Sequence, residues 1–183
     1  NLPYGCTKIP DDVKYWPAQG NPYWNEKYPW SLPNRTLAEY WDYDSNGKYD
    51  PCKGDYPIVL RSGCEVGYSQ SPYLPTEINF FIFNDNGGPQ TLSGPNKIQM
   101  EVQVSAYAYN TKNEVNDMTF YQYKLINKAT EDLIDFYFGF WVDPDLGCYS
   151  DDYFGYDKTS DVAYIYNQDA VDGDGSDCSG VNA

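Results

Sequence analysis

The sequence predicts an all-β fold, an antiparallel β-sandwich of jelly-roll or Ig-like type that follows a loop-rich, aromatic N-terminal lobe. Apolar side chains alternate with polar ones from Lys97 to Tyr109, which is the two-residue period of a half-buried strand. Several other runs rich in β-forming residues flank this one, with polar turns between them. No amphipathic helix pattern competes, so two packed antiparallel sheets are the expected architecture.

The chain divides into three predicted regions. Residues 1–75 show little periodicity and repeat Pro, Gly, Trp and Tyr, which predicts a loop-rich lobe with one short helix over Leu37 to Trp41. Residues 76–168 would form the sandwich, and residues 169–183 an acidic, Gly-rich tail or linker. The sandwich strands are expected at Thr76 to Phe83, Lys97 to Tyr109, Met118 to Ile126, Leu133 to Val142 and Val162 to Tyr166.

Charge and composition exclude several classes of function. The 183 residues include 27 acidic and 12 basic side chains, which gives a net charge of -15. Nucleic-acid binding needs a basic surface and is not expected, and membrane insertion is not expected because no apolar run is long enough. The sequence contains no histidine, which rules out Ser-His-Asp and Cys-His catalysis and His-ligated metal sites. Carboxylate chemistry, calcium binding and aromatic surfaces remain.

The cysteines indicate export. Disulfides form in oxidising compartments, so we expect a secreted or cell-surface protein in which the candidate disulfide residues are Cys6, Cys52, Cys64, Cys148 and Cys178. The spacings leave the pairings open, and the odd number leaves one thiol free or bonded to another segment. The alternative is that all five are unpaired thiols. The chain starts at Asn1 without an initiator Met, and we expect a processed product or a fragment of a longer polypeptide.

An Asp-rich turn in the N-terminal region is the sharpest candidate for a metal site. Oxygen donors recur at alternate positions, and Gly47 permits the tight turn that brings them together. The candidate calcium ligands are Asp42, Asp44, Asn46, the backbone carbonyl of Lys48, and either Asp50 or Asp55. The twelfth position of the loop holds Lys53 instead of Glu, so the loop is not an EF-hand. We predict a calcium loop of the kind found in extracellular repeats, with a solvated turn as the alternative.

A second acidic region lies near the C-terminus. Residues 143–177 contain ten Asp and one Lys, and such crowding is costly unless a cation binds or the loops extend into water. The sequence favours neither outcome over the other for the candidate ligands Asp143, Asp145, Asp151, Asp152 and Asp157. Farther along the chain, a flexible linker is favoured over a metal site for the Gly-interrupted acids Asp169, Asp172, Asp174 and Asp177.

Aromatic rings and paired carboxylates suggest two alternative functions. Planar rings stack on sugars, and the candidate rings for a carbohydrate-binding module are Trp16, Trp24, Trp30, Tyr107 and Tyr109. Structural packing is the commoner role of such rings. The second alternative is a glycoside hydrolase that uses a carboxylate pair such as Asp143 and Asp145. One carboxyl of that pair would need an apolar setting to raise its pKa.

Four segments together resemble a region of large exported proteins of Bacteroidota, which often carry a C-terminal type IX secretion sorting domain. The segments are residues 15–22 (YWPAQGNP), 43–57 (YDSNGKYDPCKGDYP), 118–127 (MTFYQYKLIN) and 141–153 (WVDPDLGCYSDDY). The resemblance extends over residues 12–175 in order and spacing. It implies export, a cell-surface or extracellular location, and membership of a longer modular chain.

The resemblance also bears on cysteine pairing and on partners. Its members often carry Cys at the position of Tyr156, so the resemblance implies that Cys148 has lost a near partner here and leaves Cys178 as a candidate substitute. The expected partners are other domains of the same longer chain, a surface polysaccharide, or further copies of this chain. The function expected is that of a non-enzymatic, calcium-stabilised module of a bacterial surface, adhesion or fibre-forming protein.

Overall fold

The chain is built mainly from antiparallel β-structure. The computed structural model describes residues 6–59, 75–89, 91, 94, 96–167 and 170–173. Within these residues, seven strands form three antiparallel sheets, and helices are few and short. The all-β prediction is therefore confirmed, while the sheets formed by the described strands are open and do not close into a jelly roll. The chain divides into two compact units, Asn1–Asp132 and Leu133–Ala183.

The first unit begins with short elements. Helices α1 (Asp11–Lys14) and α2 (Trp24–Lys27) are single turns, and short 3₁₀ helices lie at Cys6–Lys8, Pro51–Lys53 and Glu114–Asp117. Strands β1 (Tyr40–Trp41) and β2 (Tyr56–Pro57) form a two-stranded ribbon. The helix predicted over Leu37 to Trp41 is wrong, because the last two residues of that range pair with β2 instead.

The main sheet of the first unit has the strand order β3 (Glu77–Asn84), β4 (Met100–Ala108) and β5 (Thr119–Asn127). These strands match three of the predicted ones to within a few residues at each end. Val104 of the central strand β4 pairs with Phe81 on one side and with Tyr123 on the other. The alternation in the sequence separates the two faces of this central strand, with apolar side chains on one face and polar ones on the other.

Strand β4 is buried on both faces near its start. The apolar side chains of the predicted core face are buried there, namely Met100, Val102 and Val104. Glu101 and Gln103 on the opposite face are also buried. Their polar groups have partners there, since Arg35 forms an ion pair with Glu101 and the carbonyl of Thr36 accepts a hydrogen bond from Gln103 at 3.5 Å. Burial acts to raise the pKa of Glu101, but the hydrogen bonds from Arg35 and Gln103 outweigh it and hold that pKa below its ordinary value.

The hydrophobic core of the first unit joins the N-terminal region to the main sheet. Its buried residues are Trp16, Ala18, Ala38 and Tyr49, and the partly buried residues packed against them are Tyr40, Ile78 and Phe80. The rings of Trp16 and Phe80 lie 6.3 Å apart. The sequence predicts a domain boundary after residue 75, whereas residues on both sides of that position share this core. The irregular N-terminal segments need the apolar side chains of β3 to bury their own rings.

Disulfides constrain both units. Cys6 and Cys52 are bonded across a sequence separation of 46, with their Cα atoms 4.8 Å apart. Closing a loop of that length lowers the entropy of the unfolded chain and stabilises the fold by about 4 kcal/mol in the chain-entropy treatment. Cys148 is also disulfide-bonded. The other two predicted disulfide residues, Cys64 and Cys178, lie outside the described residues.

The second unit contains a hairpin of β6 (Asp152–Asp157) and β7 (Val162–Asn167). Strand β7 corresponds to the strand predicted from Val162, whereas β6 lies in the region that the sequence analysis treated as acidic loop. Gly155 of β6 pairs with Tyr164 of β7, and a Cβ at that glycine would lie 2.3 Å from Cζ of the tyrosine ring. A larger residue at this position would therefore displace the Tyr164 ring from where it lies over the hairpin.

The strand predicted from Leu133 to Val142 is not formed. Asp135 has a left-handed backbone with a φ of 52°, which interrupts an extended run near its start. No β-ladder includes these residues within the described part of the chain. Ile134, Tyr137 and Trp141 are 85%, 88% and 85% exposed, so the aromatic alternation of this segment does not correspond to a buried strand face.

Candidate metal centre

The β1–β2 ribbon positions the predicted calcium loop. Trp41 of β1 pairs with Tyr56 of β2 in an antiparallel ribbon. The residue that follows Trp41 and the residue that precedes Tyr56 therefore lie at the same end of the ribbon. Those two residues are Asp42 and Asp55. The sequence leaves open whether Asp50 or Asp55 is the closing carboxylate, and the register of the ribbon places Asp55 beside Asp42.

The loop after β1 folds back over the side chain of Asp42. The two carboxylate oxygens of Asp42 accept hydrogen bonds from the backbone N–H groups of Asn46 (3.1 Å) and Gly47 (2.7 Å). Gly47 has a φ of 73°, in the left-handed region that favours glycine, and Ser45 has a φ of 56°. This tight turn brings the side chain of Asp44 toward Asp42, as the alternating spacing predicted.

Asp55 is the buried member of the loop. It is 3% exposed, and its two oxygens accept hydrogen bonds from the backbone N–H groups of Tyr43 (2.9 Å) and Asp50 (2.7 Å). Burial raises the pKa of Asp55, the two backbone hydrogen bonds oppose that rise, and the charges of Asp42 and Asp44 add to it. The net result is a pKa above the ordinary value, so this carboxylate is ionised at a cost to the folded chain.

Three carboxylates converge at the end of the ribbon. Asp42, Asp44 and Asp55 each offer an oxygen, and these oxygens all lie within 4.8 Å of one another. None of the three forms an ion pair with Lys or Arg within the described part of the chain. An arrangement of hard oxygen atoms with unbalanced negative charge can bind a divalent cation such as Ca²⁺.

The remaining predicted ligands of this loop have other contacts. Asp50 caps the 3₁₀ helix Pro51–Lys53 by accepting the N–H of Cys52 at 3.0 Å, and its second oxygen lies 3.6 Å from Nζ of Lys53. Asn46 accepts the N–H of Lys48 at 2.8 Å, and both of these residues are exposed. The three-carboxylate cluster therefore does not include Asp50, while the Asn46 amide and the Lys48 carbonyl remain candidates to extend it.

The loop is anchored to the core beyond its acidic turn. The backbone N–H of Tyr49 donates to the carbonyl of Gln19 at 2.9 Å, and its buried phenol donates to the carbonyl of Val13 at 2.6 Å. Burial raises the pKa of Tyr49 well above that of an ordinary tyrosine, so it stays a neutral donor. Cys52 adds the covalent link to Cys6. The carboxylates are thus carried by a loop that is fixed at both ends.

The second acidic region is only partly brought together. Asp151 and Asp172 lie in one cluster with Cys148, whereas Asp143 and Asp145 are exposed and belong to neither acidic cluster of the described residues. Asp157 instead stabilises the β6–β7 turn by accepting hydrogen bonds from Thr159 and Ser160, which lower its pKa.

The structure corrects the interpretation of Asp172 and places both members of the candidate carboxylate pair at the surface. Asp172 was assigned to a flexible linker, but it is 6% exposed. Ala170 and Val171 precede it in the sequence, and this local pattern gave no signal that Asp172 would be buried. The exposed setting of Asp143 and Asp145 is not the apolar surrounding that an acid catalyst of glycoside hydrolysis needs. Asp169, Asp174 and Asp177 lie outside the described residues.

The aromatic residues predicted to bind sugars have different environments. Trp16 is buried in the core and donates its Nε1–H to the carbonyl of Glu39, so its ring is not a stacking surface. Tyr107 and Tyr109 are half-buried and pack against Phe120, with ring centres 5.4 and 5.8 Å away. These three predicted positions therefore serve packing.

Trp24 and Trp30 form a more open aromatic group with Tyr28. The ring centres of Trp24 and Tyr28 lie 4.1 Å apart, and those of Tyr28 and Trp30 lie 5.5 Å apart. Trp24 fixes this group by donating its Nε1–H to the carbonyl of Trp30 at 2.9 Å. A cleft of about 260 Å³ lies beside it, lined in part by Trp24, Asn25, Ser31 and Asn34.

A larger cleft was not predicted from the sequence. It has a volume of about 540 Å³, and its lining includes Val13, Trp16, Tyr56, Pro57 and Ile78. Its walls come from segments far apart in the chain, so no local sequence pattern marks it. It is separate from the acidic loop, whose carboxylates are not among its lining residues.

No protein-family model, curated protein or solved structure matches this chain. The helices in the described part of the chain are too short and too polar to span a lipid bilayer.

Replacing Gly47 with Ala tests the backbone geometry of the loop. A Cβ at Gly47 meets no atom within 4 Å, so the cost comes from the left-handed φ alone. We expect Gly47→Ala to lower the free energy of unfolding by about 1 kcal/mol in urea titrations with excess EDTA. Gly87 is the control, because it too is in open space but lacks a positive φ, and its replacement by Ala should have little effect. Equal losses for the two variants would contradict the described turn.

Proposed function

We propose that the chain is a non-enzymatic, extracellular module whose first unit is stabilised by a calcium ion bound by Asp42, Asp44 and Asp55. The observation that carries this proposal is the convergence of three carboxylates within 4.8 Å, one of them buried, at the fixed end of a β-ribbon. The positions agree with the ligand spacing predicted from the sequence.

The chemistry of the donors favours calcium among common divalent ions. Zinc and copper sites in proteins are built mainly around His nitrogen or Cys sulfur, and the cluster of Asp42, Asp44 and Asp55 offers neither. Calcium accepts six to eight oxygen ligands in flexible geometry. Three carboxylates, the Asn46 amide, the Lys48 carbonyl and water together supply that type of shell.

The ion would act on stability, with no catalytic step. It offsets the repulsion among the three carboxylates and the cost of burying Asp55, and it joins the two sides of the loop. The unfolded chain lacks the preformed site, so free calcium at about 100 times the dissociation constant would stabilise the fold by about 2.7 kcal/mol.

The extracellular location is supported by covalent structure. The Cys6–Cys52 disulfide and the disulfide-bonded Cys148 are compatible with an oxidising compartment. Within this proposal the chain is one module of a surface, adhesion or fibre-forming protein, and its open sheets form part of a β-sandwich in the longer chain. Its partners are the neighbouring domains, a surface polysaccharide or copies of itself.

Calcium removal should lower the melting temperature of the first unit. Because the stabilisation is about 2.7 kcal/mol, we expect excess EDTA to lower the melting temperature by roughly 5–10 °C. Calorimetry measures this decrease, and added calcium should reverse it. Asp44→Asn should abolish this calcium effect. Asp117→Asn removes the same charge from an exposed position outside the cluster and should retain it. Equal responses of the two variants would point to general charge screening and would count against a site.

The calcium effect should also depend on pH. The pKa of Asp55 is raised in the folded chain. Without calcium, the protonated Asp55 therefore contributes its full stabilisation below the unfolded pKa, and this stabilisation is lost as pH rises through the folded pKa. Calcium binds the ionised form, so its contribution has the opposite sign of pH dependence. The difference in melting temperature between calcium and EDTA should shrink as pH is lowered from about 7 to about 4. A difference that stays constant over this range would contradict the role of Asp55.

Carbohydrate binding is a second candidate function, supported by the open aromatic group. Trp30 is 59% exposed and is held in place by Trp24, and the adjoining cleft contains side-chain amides that can hydrogen-bond to sugar hydroxyls. We expect retention on a polysaccharide affinity gel that is lost in Trp30→Ala. Tyr121→Ala removes a comparably exposed ring from β5 and should leave retention unchanged. Absence of retention for the unmodified chain on every polysaccharide tested, or equal loss in both variants, would remove this candidate.

A further inference from the structure

We propose that the cleft of about 540 Å³ in the first unit binds a small organic cation, an ammonium group carried on an apolar body. The charge of the ligand would lie beside Asp12 and against the rings of Trp16 and Tyr56, which all line the cleft. The cleft shares no lining residue with the carboxylate cluster of the acidic loop, so this proposal goes beyond calcium binding and does not depend on it.

The cleft has the size and the walls of a small-molecule site. Its volume of about 540 Å³ lies within the range of about 300–1,000 Å³ that is typical of ligand pockets. Most of its lining is apolar and comes from Val13, Trp16, Pro57, Pro75 and Ile78, in three separate segments of the chain. A ligand with an apolar body gains affinity when it leaves water for these walls.

Hydrogen bonds fix the walls in place. The carbonyl of Val13 accepts the phenol of Tyr49 at 2.6 Å, and Trp16 donates its Nε1–H to the carbonyl of Glu39 at 3.1 Å. The backbone N–H of Thr76 donates at 2.9 Å to the carbonyl of the last residue of β4. A preformed cleft loses little conformational freedom when a ligand binds, which favours affinity.

The charge in the cleft favours a cation. Asp12 is the one acidic or basic side chain among the described residues that line it, and no described Lys or Arg forms an ion pair with this carboxylate. Its Oδ1 accepts the N–H of Val13 at 3.1 Å, which orients the group. The net charge of -15 adds to the same preference. An anion would meet a carboxylate without a compensating base, whereas an ammonium group would be paired.

The aromatic walls favour an organic cation over a metal ion. The faces of Trp and Tyr rings attract ammonium groups, and quaternary ammonium ligands are recognised in this way. The ring of Tyr56 is held by stacking on Trp41, with ring centres 6.3 Å apart and an angle of 19° between the planes. A hard metal ion needs several oxygen ligands, which one carboxylate among apolar walls does not supply. A quaternary ammonium group needs no hydrogen bonds and has an apolar surface, so it suits this lining.

Titration with benzyltrimethylammonium tests the proposal, with the indole N–H resonance of Trp16 as the readout in nitrogen-15 NMR spectra of the full chain. Triple-resonance experiments assign that resonance, and excess calcium in every sample keeps the probe from competing for the acidic loop. We expect a saturable shift. Benzyl alcohol carries the same ring without the charge and should bind at least about fivefold more weakly.

Two variants separate the carboxylate from the ring. Asp12→Asn should weaken binding of benzyltrimethylammonium about three- to fivefold. Asp11→Asn removes the same charge from an exposed neighbour outside the lining and should leave binding unchanged. Tyr56→Leu keeps the wall apolar but removes the ring face, so it should weaken binding of the cation about two- to fivefold and leave that of benzyl alcohol unchanged.

The absence of a saturable shift at probe concentrations up to about 10 mM would overturn the site. Equal binding of benzyl alcohol would overturn the choice of a cation and leave an apolar cleft without charge preference. Equal weakening by Asp11→Asn and Asp12→Asn would assign the effect to the net charge of the chain and would also count against the proposal.

Discussion

The local order of the acidic loop in the first unit depends on the hydrogen bonds that the buried carboxylate of Asp55 accepts. It accepts a backbone hydrogen bond from Tyr43 on one side of the loop and from Asp50 on the other, so a single side chain joins both ends. Asp42 and Asp44 add negative charge beside it. This geometry is unfavourable for the ionised chain alone and favourable around a cation. The contacts that order the loop are therefore the same ones that bring together the carboxylates of the proposed calcium site.

The loop is also tied to the core and to the N-terminal segment of the first unit. Tyr49 ties the loop to the core through hydrogen bonds to Gln19 and Val13, and Cys52 ties it to Cys6. Ligands held in advance lose less conformational freedom on binding, which favours affinity. A short ribbon of two-residue strands would be marginal by itself, so the core and the disulfide supply the order that the ribbon lacks.

The parts of the fold that could be predicted are those set by local pattern. Strand β4 was predictable because its period of two is sustained, and the turn around Gly47 because its residue types demand it. The choice of Asp55 over Asp50 was not predictable, since it depends on the register between β1 and β2. The exposed segment 133–142 was predicted as a strand because alternation records a preference for extended backbone and contains no information about a pairing partner. The burial of Asp172 likewise depends on a distant loop.

The most direct test of the account is an anomalous difference map from crystals of the chain grown with calcium. We predict a peak among the carboxylates of Asp42, Asp44 and Asp55, with oxygens at about 2.3–2.6 Å. If the map shows no peak there while the loop keeps the hydrogen bonds from Tyr43 and Asp50 to Asp55, the carboxylates persist without a cation and the central claim is contradicted.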